Sequence, residues 1–333
     1  MKKNLSNSMI LAALLAAGAA VTSCSDSDDL KEQQSPVTTY KLSITASKGS
    51  DAITRALTGG DGSALVAEWK TGEKVYVTLG EYILDGYLEA TNDGVTTVLE
   101  GEVTTVEGSG TIDVGNYLGL WYPNPDKDYT GQNGKLTGEG SISEKYDYAV
   151  GNAKITEVSG EKVNPEFADS EIRYTIKAVN IVWELDPVNH SVKPVTGGPV
   201  KFENTQAIVR FSLVKEDGTT PLNATALTIN AKDIKGNSRI TQKFNFKTDL
   251  SEFGEITIER TSPADNVIYA ALYAEPDWDD DEIMDALTPE NEFLFNYTLT
   301  AVDGTDTYTC TAENVGFEPG KYYEINVKMT KQP

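Results

Sequence analysis

The chain has 333 residues and carries 51 Asp and Glu against 28 Lys and Arg, a formal net charge of −23. A surface this acidic repels polyanions, which excludes nucleic acid as a partner and argues against docking on anionic lipid headgroups. Only two cysteines are present, too few for a disulfide-stapled fold, and the length is enough for two domains that each bury a core.

Residues 1–23 have the build of a signal peptide. Lys2 and Lys3 form a basic start, Met9 to Ala20 an apolar run, and that run is too short to span a bilayer. Val21-Thr22-Ser23-Cys24 reads as a bacterial lipobox, in which small residues lead into a cysteine that is diacylated and becomes the new N-terminus. Cys24 is therefore the expected lipid-bearing residue. Residues 24–36, with the acidic run Ser25-Asp26-Ser27-Asp28-Asp29, show no apolar period and are expected to be a solvated tether. Lipidation of Cys24 leaves Cys310 without an intramolecular partner. Cys310 shares a face with Tyr308 and Ala312, as a buried inert thiol would.

The next stretch alternates with the period of a half-buried strand. Tyr40, Leu42, Ile44 and Ala46 point one way, while Lys41, Ser43, Thr45 and Ser47 point the other. Lys48-Gly49-Ser50-Asp51 breaks the pattern, Ile53-Thr54-Arg55-Ala56-Leu57 follows, and a second break comes at Thr58 to Gly62. An arginine between two such breaks, Arg55, is an accessible target for a trypsin-like protease. At the far end of the chain Tyr323, Ile325, Val327 and Met329 share one face in the same way. If the first strand were cut away after Arg55, the last strand of another copy could fill its groove. The competing reading makes both segments permanent outer strands and Arg55 an ordinary loop residue, and the residues alone leave the two readings even.

Between these ends the chain reads as strands. They are expected at Val75 to Leu79, Tyr82 to Leu88, Val95 to Leu99, Thr111 to Val114, Gly119 to Tyr122, Ile172 to Val182 and Ala207 to Val214. The series continues at Ala226 to Asn230, Gln242 to Phe246, Gly254 to Glu259, Val267 to Tyr273, Phe293 to Ala301 and Thr307 to Ala312. Short strands separated by glycine, asparagine and aspartate, with few long helical periods, predict an all-β chain of sandwiches. One short helix is expected from Asp279 to Leu287, ended by Pro289. The stretch from Val192 to Val200, with Pro194, Gly197, Gly198 and Pro199, is the best boundary. It divides the chain into domains at 37–199 and 200–333.

Catalytic signals are sparse, and the chain is not read as an enzyme. His190 is the only histidine, which removes two-histidine zinc sites and makes a Ser-His-Asp triad improbable. No phosphate-cradling glycine loop precedes a helix. The run Asp277-Trp278-Asp279-Asp280-Asp281-Glu282 lacks the alternating ligands and central glycine of a calcium loop and reads as a solvated helix start. No metal or other cofactor is expected. Trp69, Trp121, Trp183 and Trp278 could stack on sugar rings, although aromatics in a β-sandwich more often belong to the core.

Several stretches in order carry a family resemblance: the lipobox and one strand, then Thr54-Arg55-Ala56, then Ala67-Glu68-Trp69-Lys70-Thr71-Gly72-Glu73-Lys74-Val75-Tyr76-Val77. They are followed by Trp121-Tyr122-Pro123, Tyr146-Asp147-Tyr148-Ala149, Gln206-Ala207-Ile208-Val209-Arg210-Phe211 and Pro319-Gly320-Lys321-Tyr322-Tyr323. Over most of the mature chain this resembles the fimbrillin family of the Bacteroidetes, the subunits of type V pili. The acidic run after Cys24 is similar to the tags that send lipoproteins of that phylum to the outer surface. The chain departs from the family at Glu73, where members often have aspartate.

The resemblance implies two transthyretin-like β-sandwich domains in tandem. It also implies a surface-exposed outer-membrane lipoprotein whose mature form lies in an extracellular fimbrium. An arginine-specific protease would cut after Arg55 and leave Ala56 as the new N-terminus, removing residues 37–55 of the N-terminal domain. The emptied groove would take a C-terminal donor strand, here Tyr323, Ile325, Val327 and Met329, from another copy or a homologous pilus subunit. Adhesion would add a receptor on a host or bacterial surface. A different class of function remains open beside this one, an uncleaved surface lipoprotein that captures glycan.

Overall fold

The computed structural model describes residues 37–48, 68–162, 172–185, 192–261, 263–275 and 294–333. Cys24, Arg55, Ala56, His190, the acidic run from Asp277 and the helix expected at Asp279 to Leu287 lie outside the described residues. The chain is all-β, and its described residues form two compact units. The first takes residues up to Lys48 together with Glu68–Pro123 and Val150–Phe202. The second takes Asn124–Ala149 and Glu203–Pro333. The stretch from Asn124 to Ala149, an excursion from the first unit, thus belongs to the second.

The first unit is built from β1 (Thr39–Lys48), β2 (Lys74–Leu79), β3 (Tyr82–Ile83), β4 (Asp85–Ala90), β5 (Thr96–Thr104), β6 (Tyr117–Tyr122), β8 (Ala149–Lys162), β9 (Ile172–Leu185), β10 (Val192–Thr196) and β11 (Val200–Asn204). They form one sheet, ordered β10-β9-β1-β11-β8-β6-β2-β4-β5, with β3 beside β2. Because β5 also pairs with β1, seven of these strands close into a barrel-like ring. Closure leaves no free edge within the ring. β1 holds one side of it together, antiparallel to β5 from Thr39↔Thr104 to Ser47↔Thr96. Its other edge runs parallel to two strands in succession, β9 at Tyr40 to Leu42 and β11 at Ala46 to Lys48. Opposite Leu42 in β5 stands Gly101, where a Cβ would collide with the carbonyl oxygen of Tyr87, so only glycine allows β4 and β5 to approach this closely.

The second unit holds β7 (Lys127–Asp128), α1 (Ile142–Lys145), β12 (Ala207–Val214), β13 (Ala226–Lys232), β14 (Ile240–Asn245), β15 (Leu250–Gly254), β16 (Ile256–Glu259) and β17 (Val267–Leu272). It continues through β18 (Leu294–Asp303), β19 (Asp306–Gly316), β20 (Tyr322–Lys328) and β21 (Thr330–Lys331). A three-stranded sheet, β17-β12-β20, and a five-stranded one, β16-β13-β18-β19-β21, enclose a common core. Val209, Phe211 and Leu213 supply it from the first sheet, and Leu227, Ile229, Leu299 and Ala301 from the second. This is sandwich packing, with alternate residues of β13 and β18 turned inward, while β12 buries residues on both faces. A third sheet, β15-β14-β7, borrows its edge strand from the excursion. Buried Gln132 fastens the same excursion: its amide donates to the carbonyls of Tyr129 and Ala271 and accepts from the Ala271 N–H at 2.7 Å.

The observed strands differ from the expected ones in three places. Thr111 to Val114 is not a strand: the Asp113 N–H donates to Asn116 Oδ1 at 2.7 Å and Gly115 has φ +95°, so the segment is a turn. The stretch from Val192 to Val200 is a strand, a turn and the start of another strand, since β10 pairs with β9 and only Gly197 and Gly198 turn. β8 has no counterpart among the expected strands because its buried stripe, Ala149, Gly151, Ala153 and Ile155, is made mostly of small residues that give little apolar signal.

Candidate functional site

β1 presents the inward stripe that its alternation requires. Tyr40, Leu42, Ile44 and Ala46 are all buried, the last three completely, while Lys41, Ser43 and Thr45 face outward. The Tyr40 ring lies 5.4 Å from that of Tyr174, and its hydroxyl accepts the Ile112 N–H at 3.2 Å. The stripe does not stop at Ala46. Lys48 continues it and is only 3% exposed.

A lysine this deeply buried needs partners to offset the loss of water. The Lys48 ammonium donates to Glu73 Oε2 at 2.7 Å and to the Glu68 carbonyl at 3.3 Å. It also lies over two rings, 4.5 Å from the centre of Trp69 and 4.1 Å from that of Tyr122. Cations over aromatic faces gain most when water is excluded, as it is here. Glu73 is fixed in turn. The Tyr122 hydroxyl donates to its Oε1 at 2.7 Å and the Lys70 N–H to its Oε2 at 3.0 Å. A tight turn with Gly72 at φ +85° presents the carboxylate, closed by the Glu73 N–H on the Lys70 carbonyl. Trp69 is held by a reciprocal backbone pair with Gly94, and its ring packs edge-on against Phe202 and Tyr122.

The site is therefore a groove between β5 on one side and β9 and β11 on the other. It is apolar along its length, with a phenol pocket at one end and an aromatic, acidic cage for a cation at the other. The pattern break placed at Lys48 in the sequence is a continuation of the strand. Its signal was parity, since residues 40, 42, 44, 46 and 48 share one face. Glu73 is the side chain that reaches both Lys48 and Tyr122.

At the other end of the chain, β20 lies at the edge of its sheet, parallel to β12 from Ile208↔Tyr322 to Val214↔Lys328. Tyr323 and Ile325 are half-buried there, and Val327 and Met329 are buried. Tyr323 packs 5.1 Å from Phe317 and its hydroxyl accepts the Glu318 N–H; burial raises its pKa. Lys331 is exposed and ion-paired to Asp306 at 2.7 Å. Cys310 is half-buried against the core, and burial pushes its thiol up. Trp69 and Trp121 are core residues, closed to sugar stacking, while Trp278 and the side chain of Trp183 lie outside the described residues. Among the described residues no group of three or more His, Cys, Asp or Glu is arranged to hold a metal, and no helix is long and apolar enough to cross a membrane.

No protein-family model and no curated protein matches the chain. Among solved structures, a Bacteroides ovatus protein described as a "putative cell adhesion protein" is 14% identical, with 89% of this chain and 96% of that one covered and a TM-score of 0.36. A Bacteroides fragilis protein of the same description is 12% identical, with 88% and 97% covered and a TM-score of 0.35. The minor pilin of Streptococcus agalactiae is 10% identical, with 88% and 97% covered and a TM-score of 0.22. Identities and scores this low establish neither a shared family nor a shared fold.

Proposed function

We propose that the chain is a fimbrial subunit of the fimbrillin type, with its units as transthyretin-like sandwiches, that polymerises by donor-strand exchange for adhesion. It is exported as an outer-membrane lipoprotein through Cys24 and cut after Arg55, so that Ala56 becomes the N-terminus. The C-terminal strand of one copy then replaces β1 of the next. The observation that carries this reading is the position of β1. It is joined to the rest of its unit through a single connection that contains Arg55, yet it is paired on both edges and supplies a full buried stripe. Its loss would leave an apolar trough with two open strand edges, a state that recruits another strand.

The chain carries a matching replacement. Tyr323, Ile325, Val327 and Met329 repeat the spacing and much of the character of Tyr40, Leu42, Ile44 and Ala46. As the edge strand of a three-stranded sheet, β20 leaves only β12, and the two-residue β21 that follows it leaves β19. Exchange swaps similar contacts, so dilution of the cleaved segment favours the forward direction.

The test uses the chain from Ser25 onward, exposed under native conditions to an arginine-directed protease, with the product sized by light scattering. A cut after Arg55 followed by a ladder of oligomers is expected, and Arg55→Ala should stay monomeric. A cleaved chain that remains monomeric contradicts the proposal.

A further inference from the structure

Lys48 and Lys331 occupy equivalent places in two stripes. One runs Tyr40, Leu42, Ile44, Ala46, Lys48 and the other Tyr323, Ile325, Val327, Met329, Lys331, each with one residue between members. We propose that a second copy of this chain enters the groove in a single register, set by its Lys331 ammonium lodging between Trp69 and Tyr122 against Glu73 where Lys48 sits. This rests on the strand-exchange reading above and adds to it the register and the residue that fixes it.

The contacts to the tyrosine hydroxyl and to the ammonium lie at the two ends of the groove, so those ends discriminate between registers. In the proposed alignment the Tyr323 phenol replaces that of Tyr40, within reach of the Ile112 N–H and the Tyr174 ring. Moving the incoming strand by two residues keeps its apolar face inward but puts Met329 or Pro333 at the cage, leaving the Glu73 carboxylate without its cation. A shift of one residue turns the whole stripe outward. Reversing the strand exchanges the tyrosine and lysine ends. Only the parallel, unshifted alignment satisfies both.

Lys331 gives up little to make this contact. In its own unit its ammonium is exposed and pairs with Asp306, an arrangement of small net value, and its backbone sits beside Tyr308 in the two-residue β21, a short pairing to give up. In the cage it gains a charge-assisted bond and two ring faces in a site shielded from water. The poorest match is Met329 in place of Ala46, where the groove must take a thioether that β1 does not carry. Methionine, unbranched and flexible, is the residue best able to adapt there.

Two variant sets test the register in the chain from Ser25 onward. In β1, Ser47 pairs with Thr96, so Thr330 inherits that neighbour. With Cys310→Ser as background, Thr330→Cys and Thr96→Cys should form an interchain disulfide after cleavage, since directly paired positions lie within bridging distance. Polymer that links Lys328→Cys to Thr96→Cys instead overturns the register while leaving strand exchange standing. A parent chain that is cleaved and never polymerises overturns both. In the second set, Lys331→Gln should lower the polymer's association constant about tenfold, equivalent to ~1.4 kcal/mol, and Lys331→Arg should retain most of it. Equal assembly by Lys331→Gln and the parent overturns the role of the cage.

Discussion

The ammonium of Lys48 and the carboxylate of Glu73 meet at 2.7 Å, with side-chain exposures of 2% and 22%. This pair closes an otherwise apolar stripe with a charge, so the first strand is held by packing along its length and by a shielded ion pair at its end. Lys48→Met should therefore cost about 2–3 kcal/mol, because it leaves Glu73 with only the Tyr122 hydroxyl and the Lys70 N–H. Adding Glu73→Gln should cost less than the sum of the two single changes by at least ~0.5 kcal/mol. Chemical denaturation with hydrogen exchange at the β1 amides measures both; strict additivity would mean the pair is not coupled.

Ile44 and Thr45 are adjacent in β1 but face opposite ways, and they should respond oppositely to truncation. Ile44 is fully buried, so Ile44→Ala should destabilise the first unit by about 2–5 kcal/mol. Thr45→Ala on the outward face should stay within about 0.5 kcal/mol of the parent. Equal effects in urea titrations would contradict the assigned facing.

Ile325 is half-buried at the sheet edge in its own unit, whereas the groove position it would take, that of Leu42, is sealed. Ile325→Ser should accordingly lower the stability of the uncleaved chain by about 1 kcal/mol while reducing assembly more strongly, by a factor of ten or more. Thermal melts of the precursor and light scattering after cleavage separate the two effects. Normal assembly by this variant would remove the stripe from the account.

Burial pushes the Lys127 ammonium down to about 8, with Glu275 opposing the shift. Its Nζ faces the rings of Phe244 and Tyr273. The folded value lies below that of a lysine in the unfolded chain, ~10.4. Between the two the unfolded state binds more protons, so this residue's contribution to stability rises with pH from about 8 and levels off near ~10.4. Lys127→Met should remove this pH dependence, so that its stability relative to the parent falls between about pH 8 and pH 10. A stability difference that stays constant over that range would contradict the assignment.

The stripe at Tyr40 to Ala46 was legible because large apolar side chains alternate there with polar ones, and the same holds for Tyr323 to Met329. Lys48 was not, because a charged residue ahead of glycine reads as the end of a strand. Its burial is decided by Trp69, Glu73 and Tyr122, which reach it only through the fold. The excursion from Asn124 to Ala149 was hidden for a similar reason. It is held by Lys127 and Asp128 beside Phe244 and Lys243, and by Gln132 on Ala271, pairings that no local period encodes.

The most direct test of the central claim is the composition of the assembled product, read by mass spectrometry of denatured oligomers isolated after cleavage. The account predicts oligomers built only from chains that begin at Ala56, with the segment containing Tyr40 to Lys48 absent. Oligomers that still hold that segment in equal amount with the cleaved chain would show that β1 never left its groove, and strand exchange would be wrong.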